Sequence, residues 1–221
     1  MHHRVARILL ITNPAHDIPT EYLDAWSKRA LDVARQQPDV RIFELNKTEA
    51  TKENVTKIIE AEKPQLVIFN GHGNENVITG YEFEILIQIN DNEILLEKKI
   101  IHAFACAAGK NLGPKCVAIG SAAYIGYREK FQLTHLNKLT ETEQINDPIA
   151  TFFLEPAFSA ILALIEGKTM IEAYNISQAM YLQHLQILLT SSSTDLNTTV
   201  AARLYHNLRH QVCLGNQVAR F

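Results

Sequence analysis

Two side chains in this 221-residue chain have the chemistry and setting of a nucleophilic pair. His72 lies in Gly71-His72-Gly73-Asn74, directly after the apolar run Gln65–Asn70 (QLVIFN). Cys106 opens Cys106-Ala107-Ala108-Gly109, directly after Ile100–Ala105 (IIHAFA), 34 positions further on. A thiol attacks a carbonyl as thiolate, and an unperturbed cysteine with a pKa of about 8.5 is only partly ionised at neutral pH. A nearby imidazole helps to ionise it and then protonates the departing amine. The tetrahedral intermediate needs backbone N–H donors at its oxyanion, and the candidates are the amides of Gly73 and Cys106. The glycines beside His72 are expected to let the backbone approach a substrate closely and to take φ > 0. A helix starting just after Cys106 would add a favourable dipole for the thiolate. Each motif alone has a plainer reading. Gly-His-Gly also fits a tight βα turn with a solvent-facing histidine, and a free cysteine is commonly a small buried hydrophobe. Only the pair, each member directly after an apolar strand, is specific.

The elements that must position this pair are legible as alternating patterns. Val5–Thr12 (VARILLIT) reads as a strand buried on both faces. Tyr22, Leu23, Trp26, Ala30, Val33 and Ala34 recur at helical spacing. Val40–Leu45 is a second strand, and Val55, Ile58 and Ile59 mark a helix ended by Lys63-Pro64. Gln65–Asn70 and Ile100–Ala105 are the third and fourth strands. Between them lies a polar, strand-rich insertion, Val77–Leu96, with a hairpin turn expected at Asp91-Asn92. Ser121–Tyr127 is a fifth strand, and Glu129 to Asn146 reads as a long loop. Asp147-Pro148 forms an N-cap and first turn, and that helix ends at Gly167. Thr169 and Glu172 make a capping box for the next helix, which runs to about Leu189. A Ser/Thr-rich break at 191–199 precedes a short helix and a last strand near Val212–Leu214. Parallel neighbours need crossover connections, so this order predicts one α/β domain over residues 1–221. It is doubly wound, with a mostly parallel six-stranded sheet and helices on both faces. Strand carboxyl ends are where such sheets carry their functional loops.

Composition excludes several classes. A net charge of −3 gives no general attraction to nucleic acid or anionic lipid. Three cysteines without a CxxC pair argue against a disulfide framework or structural zinc. No N-terminal stretch reads as a signal peptide, and no apolar run approaches the ~18 residues of a membrane span. A protein of a reducing, cytoplasmic compartment is expected, without nucleic-acid or membrane partners.

An apolar strand into His-Gly, followed by an apolar strand into Ala-Cys, resembles the caspase-related cysteine peptidases: caspases, metacaspases, gingipains, separase and the bacterial CHAT proteases. Leu112–Tyr127, Phe152–Tyr174 and the closing His210–Phe221 are similar to segments of the CHAT and gingipain domains, with Asn216-Gln217 in place of Asp-Pro. The likeness covers most of the chain from Leu66 onward and is nearest to the CHAT type. It implies that Cys106 is the nucleophile and His72 the general acid/base. Gly73 and the Cys106 amide would form the oxyanion hole, no metal or organic cofactor would enter the chemistry, and the substrate would be a protein or peptide. It also implies regulation by a separate partner chain or by remodelling of the 129–146 loop.

Specificity is less legible. Relatives cleaving after basic residues carry an aspartate two positions before the cysteine, and caspases a glutamine; here Phe104 stands there. Asp17 and Asp24 offer acidic alternatives, while Tyr127 and Arg128 would border the pocket by family analogy. Arg128 would hold an acidic P1 side chain unless it pairs with Glu129.

Other candidates are weak. His206 and His210 are spaced i, i+4 but lack the glutamate of HExxH. His102 is expected to be a satisfied core residue, and Cys116 and Cys213 to be packing. No GxGxxG or P-loop is present. Two alternatives stand beside the peptidase reading: a pseudo-enzyme keeping the fold as a binding or signalling module, and a flavodoxin-like protein in which the pair is coincidence.

Overall fold

Successive residues of the central strands point to opposite faces, and both faces are apolar. That pattern dictates a sheet sandwiched between helices. A computed structural model describes residues 6–136, 140–191 and 194–221. The elements run β1 (Arg7–Asn13), α1 (Ile18–Arg35), β2 (Val40–Asn46), α2 (Lys52–Glu62), β3 (Leu66–Asn70), β4 (Gly73–Asn74), β5 (Val77–Thr79), β6 (Ile85–Gln88) and β7 (Ile100–Phe104). They continue with α3 (Leu112–Ala118), β8 (Ala123–Tyr127), α4 (Glu141–Gln144), α5 (Pro148–Ile165), α6 (Met170–Thr190), α7 (Asp195–His210) and β9 (Gln211–Gly215).

The main sheet has six strands in the order β2-β1-β3-β7-β8-β9, all parallel except β9. Leu9, Ile11, Leu66, Ile68, Ile100 and Phe104 face α1 and α5. Leu10, Val67, Phe69, Ile101 and Ala103 face α2 and α3. The mostly parallel α/β sheet with helices on both faces is therefore as expected. A third cluster joins Phe153 of α5 to Tyr181, Leu185 and Leu188 of α6 and to Val200 and Leu204 of α7.

Caps fall where the side chains allow them. Asp147 accepts from the amides of Ile149 and Ala150 at the start of α5, and Thr169 with Glu172 boxes the start of α6. Gly167 follows the cap of α5 at φ +83, a left-handed position that glycine occupies without strain. Pro156 inside α5 lacks the N–H that would bond the Phe152 carbonyl. Nδ1 of His184 on α6 takes that carbonyl instead, at 3.1 Å.

Several details differ from the sequence reading. Val5 lies outside the described residues. The insertion does fold into a small antiparallel sheet, β4-β5-β6. Its hairpin, however, turns at 80–84, and Asp91-Asn92 follows β6. There Glu82 and Phe83 take positive φ without being glycine or asparagine, although Gly80 opens the turn. The 129–146 stretch contains the four-residue α4; Asn137, Lys138 and Leu139 of it lie outside the described residues. Ser192 and Ser193 lie outside them too, and α7 is a 16-residue helix that begins within the Ser/Thr-rich segment, capped by Thr194. Helix α5, at 18 residues and mean hydropathy 1.8, is long and apolar enough to cross a membrane, contrary to expectation. Its window is 67% buried inside the protein, as a core helix is.

Candidate active site

Register decides how His72 and Cys106 meet. Strands β3 and β7 pair in parallel with Asn70 opposite Phe104, so each reactive residue lies two positions beyond the same rung. The Gly71 N–H donates to the Phe104 carbonyl at 3.2 Å and carries the pairing one step further. Both side chains line one cleft of about 340 Å³.

Asp17 reaches the same place from the carboxyl end of β1. A buried polar network fixes that end: Asn70 Nδ2 donates to Asn13 Oδ1 and Ser27 Oγ, both at 2.8 Å, and Asn13 Nδ2 donates to Asn46 at 3.2 Å. The chain then turns through Ala15, at φ +41, into the α1 cap. Asp17 Oδ1 accepts from the Thr20 hydroxyl at 2.6 Å and the Thr20 N–H at 3.1 Å. Its other oxygen, Oδ2, lies 2.7 Å from His72 Nε2. Burial alone would raise the Asp17 carboxyl, but the hydrogen bonds from Thr20 and His72 outweigh it and hold it below the ordinary range. An ionised carboxylate only accepts, so the proton of a neutral His72 sits on Nε2 and Nδ1 carries the lone pair. Asp17, expected in a substrate pocket, is thus the orienting partner of His72.

Cys106 is half-buried. Burial pushes its thiol up, and the Phe131 N–H and the Lys130 charge only partly offset that. Among the described residues no hydrogen bond links its sulfur to the His72 ring. Helix α3 starts at Leu112, not just after Cys106, because the chain first turns through Ala107 at φ +56. The dipole expected at the thiolate is therefore displaced by several residues.

The two proposed oxyanion amides are placed differently from each other. Thr79 N–H donates to the His72 carbonyl at 2.9 Å, a bond that flanks the β4-β5 ladder on the His72 side. The next pair, Gly73 with Ile78, is then non-hydrogen-bonded, and the Gly73 N–H faces away from β5. Among the described residues no backbone carbonyl accepts from the Cys106 N–H. Neither Gly71 nor Gly73 has positive φ. They are glycines because of neighbouring strand β5: a Cβ would lie 2.1 Å from the Thr79 carbonyl oxygen at Gly71, and 2.5 Å from that of Val77 at Gly73. That replaces the substrate approach expected from sequence.

The cleft floor is apolar, made by Leu23, Phe104, Phe131 and Leu133. Phe104 is 3% exposed and stacks on Phe158, with ring centroids 5.6 Å apart. Tyr127 does not border the cleft: it is buried, with its hydroxyl 2.8 Å from that of Tyr181. Arg128 also points elsewhere, donating to the Arg209 carbonyl and to His210 Nδ1. The cations at the rim are Lys130 and Arg203. Arg203 carried no sequence signal, since only α7 folding back onto the loop after β8 brings it there. The buried Asn207 makes that contact, accepting from the Gln132 N–H at 2.8 Å and donating to its carbonyl at 2.7 Å.

Two of the other histidines weighed in the sequence differ in their surroundings. His206 Nε2 meets the Lys130 carbonyl at 3.1 Å. His102 is core, yet among the described residues neither ring nitrogen has a partner, so it is not satisfied as expected; burial pushes its pKa down to about 3. Cys116 is buried and Cys213 is partly covered, both free. His16, Asp17 and His72 each offer one metal-ligating atom within 4.8 Å of the others. No family model matches the chain, and no curated protein matches it.

Proposed function

We propose that this chain is a caspase-like cysteine endopeptidase, nearest in kind to the CHAT proteases, with Cys106 as nucleophile and His72 as general acid/base. The observation that carries the reading is the shared offset of the two residues beyond adjacent parallel strands, with Asp17 orienting the imidazole. His72 Nδ1 takes the thiol proton, and the thiolate attacks the peptide carbonyl to form a tetrahedral oxyanion facing the Gly73 and Cys106 amides. The C–N bond breaks as the imidazolium returns its proton to the amine. Water, deprotonated by the same nitrogen, then hydrolyses the thioester. None of these steps calls for a cofactor.

The test is to incubate wild-type and Cys106→Ala protein with a denatured protein mixture and sequence the new N-termini by mass spectrometry. New termini that require Cys106 support the reading, and identical termini from both proteins refute it. A second reading, a latent or binding-only relative, is favoured by one observation: burial pushes the thiol up and, among the described residues, no hydrogen bond joins it to His72, with the 130–133 loop beside it. A regulator that remodels this loop would separate latency from loss of activity.

A further inference from the structure

His16 is the residue in this region that the peptidase chemistry does not use. Both of its ring nitrogens are buried without a hydrogen-bond partner among the described residues. Its ring stands edge-on to Phe83 at 4.8 Å, Tyr81 at 5.8 Å and His72 at 5.7 Å between centroids. A buried polar atom left without a partner is costly, and an imidazole walled by aromatic edges cannot recover that cost from them. What lies within reach of it is the Asp17–His72 pair, and the three ligating atoms fall within 4.8 Å of one another. Tetrahedral zinc needs nitrogen and oxygen ligands at about 2.0–2.1 Å, hence roughly 3.3 Å apart, so His16 must move inward while the 2.7 Å Asp17–His72 contact opens slightly.

We propose that His16, Asp17 and His72 form an inhibitory site for a late divalent transition metal such as Zn²⁺. The ion takes one nitrogen of His16, Oδ2 of Asp17 and the Nε2 lone pair of His72, whose ring proton moves to Nδ1. Asp17 is held ready by Thr20, which uses its other oxygen. A two-nitrogen, one-carboxylate set suits zinc, cobalt and nickel, and does not suit magnesium or calcium, which prefer all-oxygen shells. Metal binding at this set does not depend on the peptidase reading. Inhibition does, because ligation through Nε2 leaves the ring proton on Nδ1, the nitrogen that must accept the thiol proton.

The experiment titrates Co²⁺ and Zn²⁺ into wild-type, His16→Phe and Cys106→Ala protein, reading cobalt by its visible absorption and zinc by competition with a chromophoric chelator. Phenylalanine keeps the aromatic packing and removes the ligand. Wild-type and Cys106→Ala protein are expected to bind one ion alike, and His16→Phe to bind it about tenfold more weakly or worse. Equal affinity in His16→Phe, dependence on Cys106, or equal binding of Mg²⁺ would overturn the site. In parallel, zinc should suppress peptide-ketone labelling of wild-type protein and spare His16→Phe. Suppression of both alike would overturn the inhibitory role. Metal binding without labelling of metal-free protein under any condition would count against the peptidase reading alone.

Discussion

His72 Nε2 lies 2.7 Å from Asp17 Oδ2, while the other oxygen of that carboxylate caps helix α1 through Thr20. One side chain thus fixes both a helix start and an imidazole tautomer, and the two duties are separable by mutation. Asparagine is as good an N-cap as aspartate. Asp17→Asn should therefore leave the thermal midpoint nearly unchanged while lowering kcat on the order of 10²-fold, with KM little affected. A loss confined to stability, with kcat intact, would contradict the orienting role.

The Cys106 thiol sits above its ordinary range because burial outweighs the Phe131 N–H and Lys130. Its alkylation by iodoacetamide should rise with pH through an inflection displaced to the alkaline side of a free cysteine. The measurement is a rate-against-pH profile with mass-spectrometric site assignment. An inflection on the acid side would mean an activated thiolate already present in this conformation.

Asn207 clamps the loop beside the thiol by bonding both backbone groups of Gln132, and Asp147 holds its far side through the Leu136 N–H at 2.6 Å. Asn207→Ala leaves buried groups unpaired, at a cost of about 1–3 kcal/mol. It should expose Cys106 to alkylation several-fold faster. The buried Cys116 serves as an internal control: equal acceleration there would show general loosening and not loop release.

His102 is neutral when folded, its pKa held near 3 by burial, and near 6.5 when unfolded. The unfolded chain therefore binds the extra proton between those values. The stability this residue contributes is present above about pH 6.5 and is lost as pH falls toward 3, by up to about 1.4 kcal/mol per pH unit. Urea unfolding at pH 7 and pH 5 should show wild type losing roughly 2 kcal/mol more than His102→Leu. Parallel pH dependences would remove His102 from the account.

Among the described residues lining the cleft none is acidic; its floor is apolar and its rim carries Lys130 and Arg203. Peptides with apolar or acidic P1 residues should be cleaved on the order of tenfold faster than lysyl or arginyl ones. Arg203→Glu should shift that ratio toward basic P1. A lysyl preference in the wild type would show that another surface binds the substrate.

The sequence discloses those parts that rest on local patterns. The apolar runs mark the parallel strands, and the equal two-residue offsets of His72 and Cys106 follow from those strand ends. What escapes depends on distant packing. Asp17 is visible as an acid after the first strand, but its direction is set by the left-handed Ala15 and the Thr20 cap. Tyr127 reads as pocket border yet is pulled inward by Tyr181 from 54 positions away. Arg203 enters only because Asn207 meets Gln132 across 75 positions. The late start of α3 turns on the positive φ of Ala107, for which alanine gives no warning.

The central claim is that Cys106 and His72 act together on a peptide carbonyl. Labelling with acyloxymethyl-ketone peptides of varied P1, comparing wild type, Cys106→Ala and His72→Ala, tests it most directly. Covalent mass addition at Cys106 is expected, disappearing in Cys106→Ala and falling sharply in His72→Ala. Labelling that persists undiminished in either variant would contradict it.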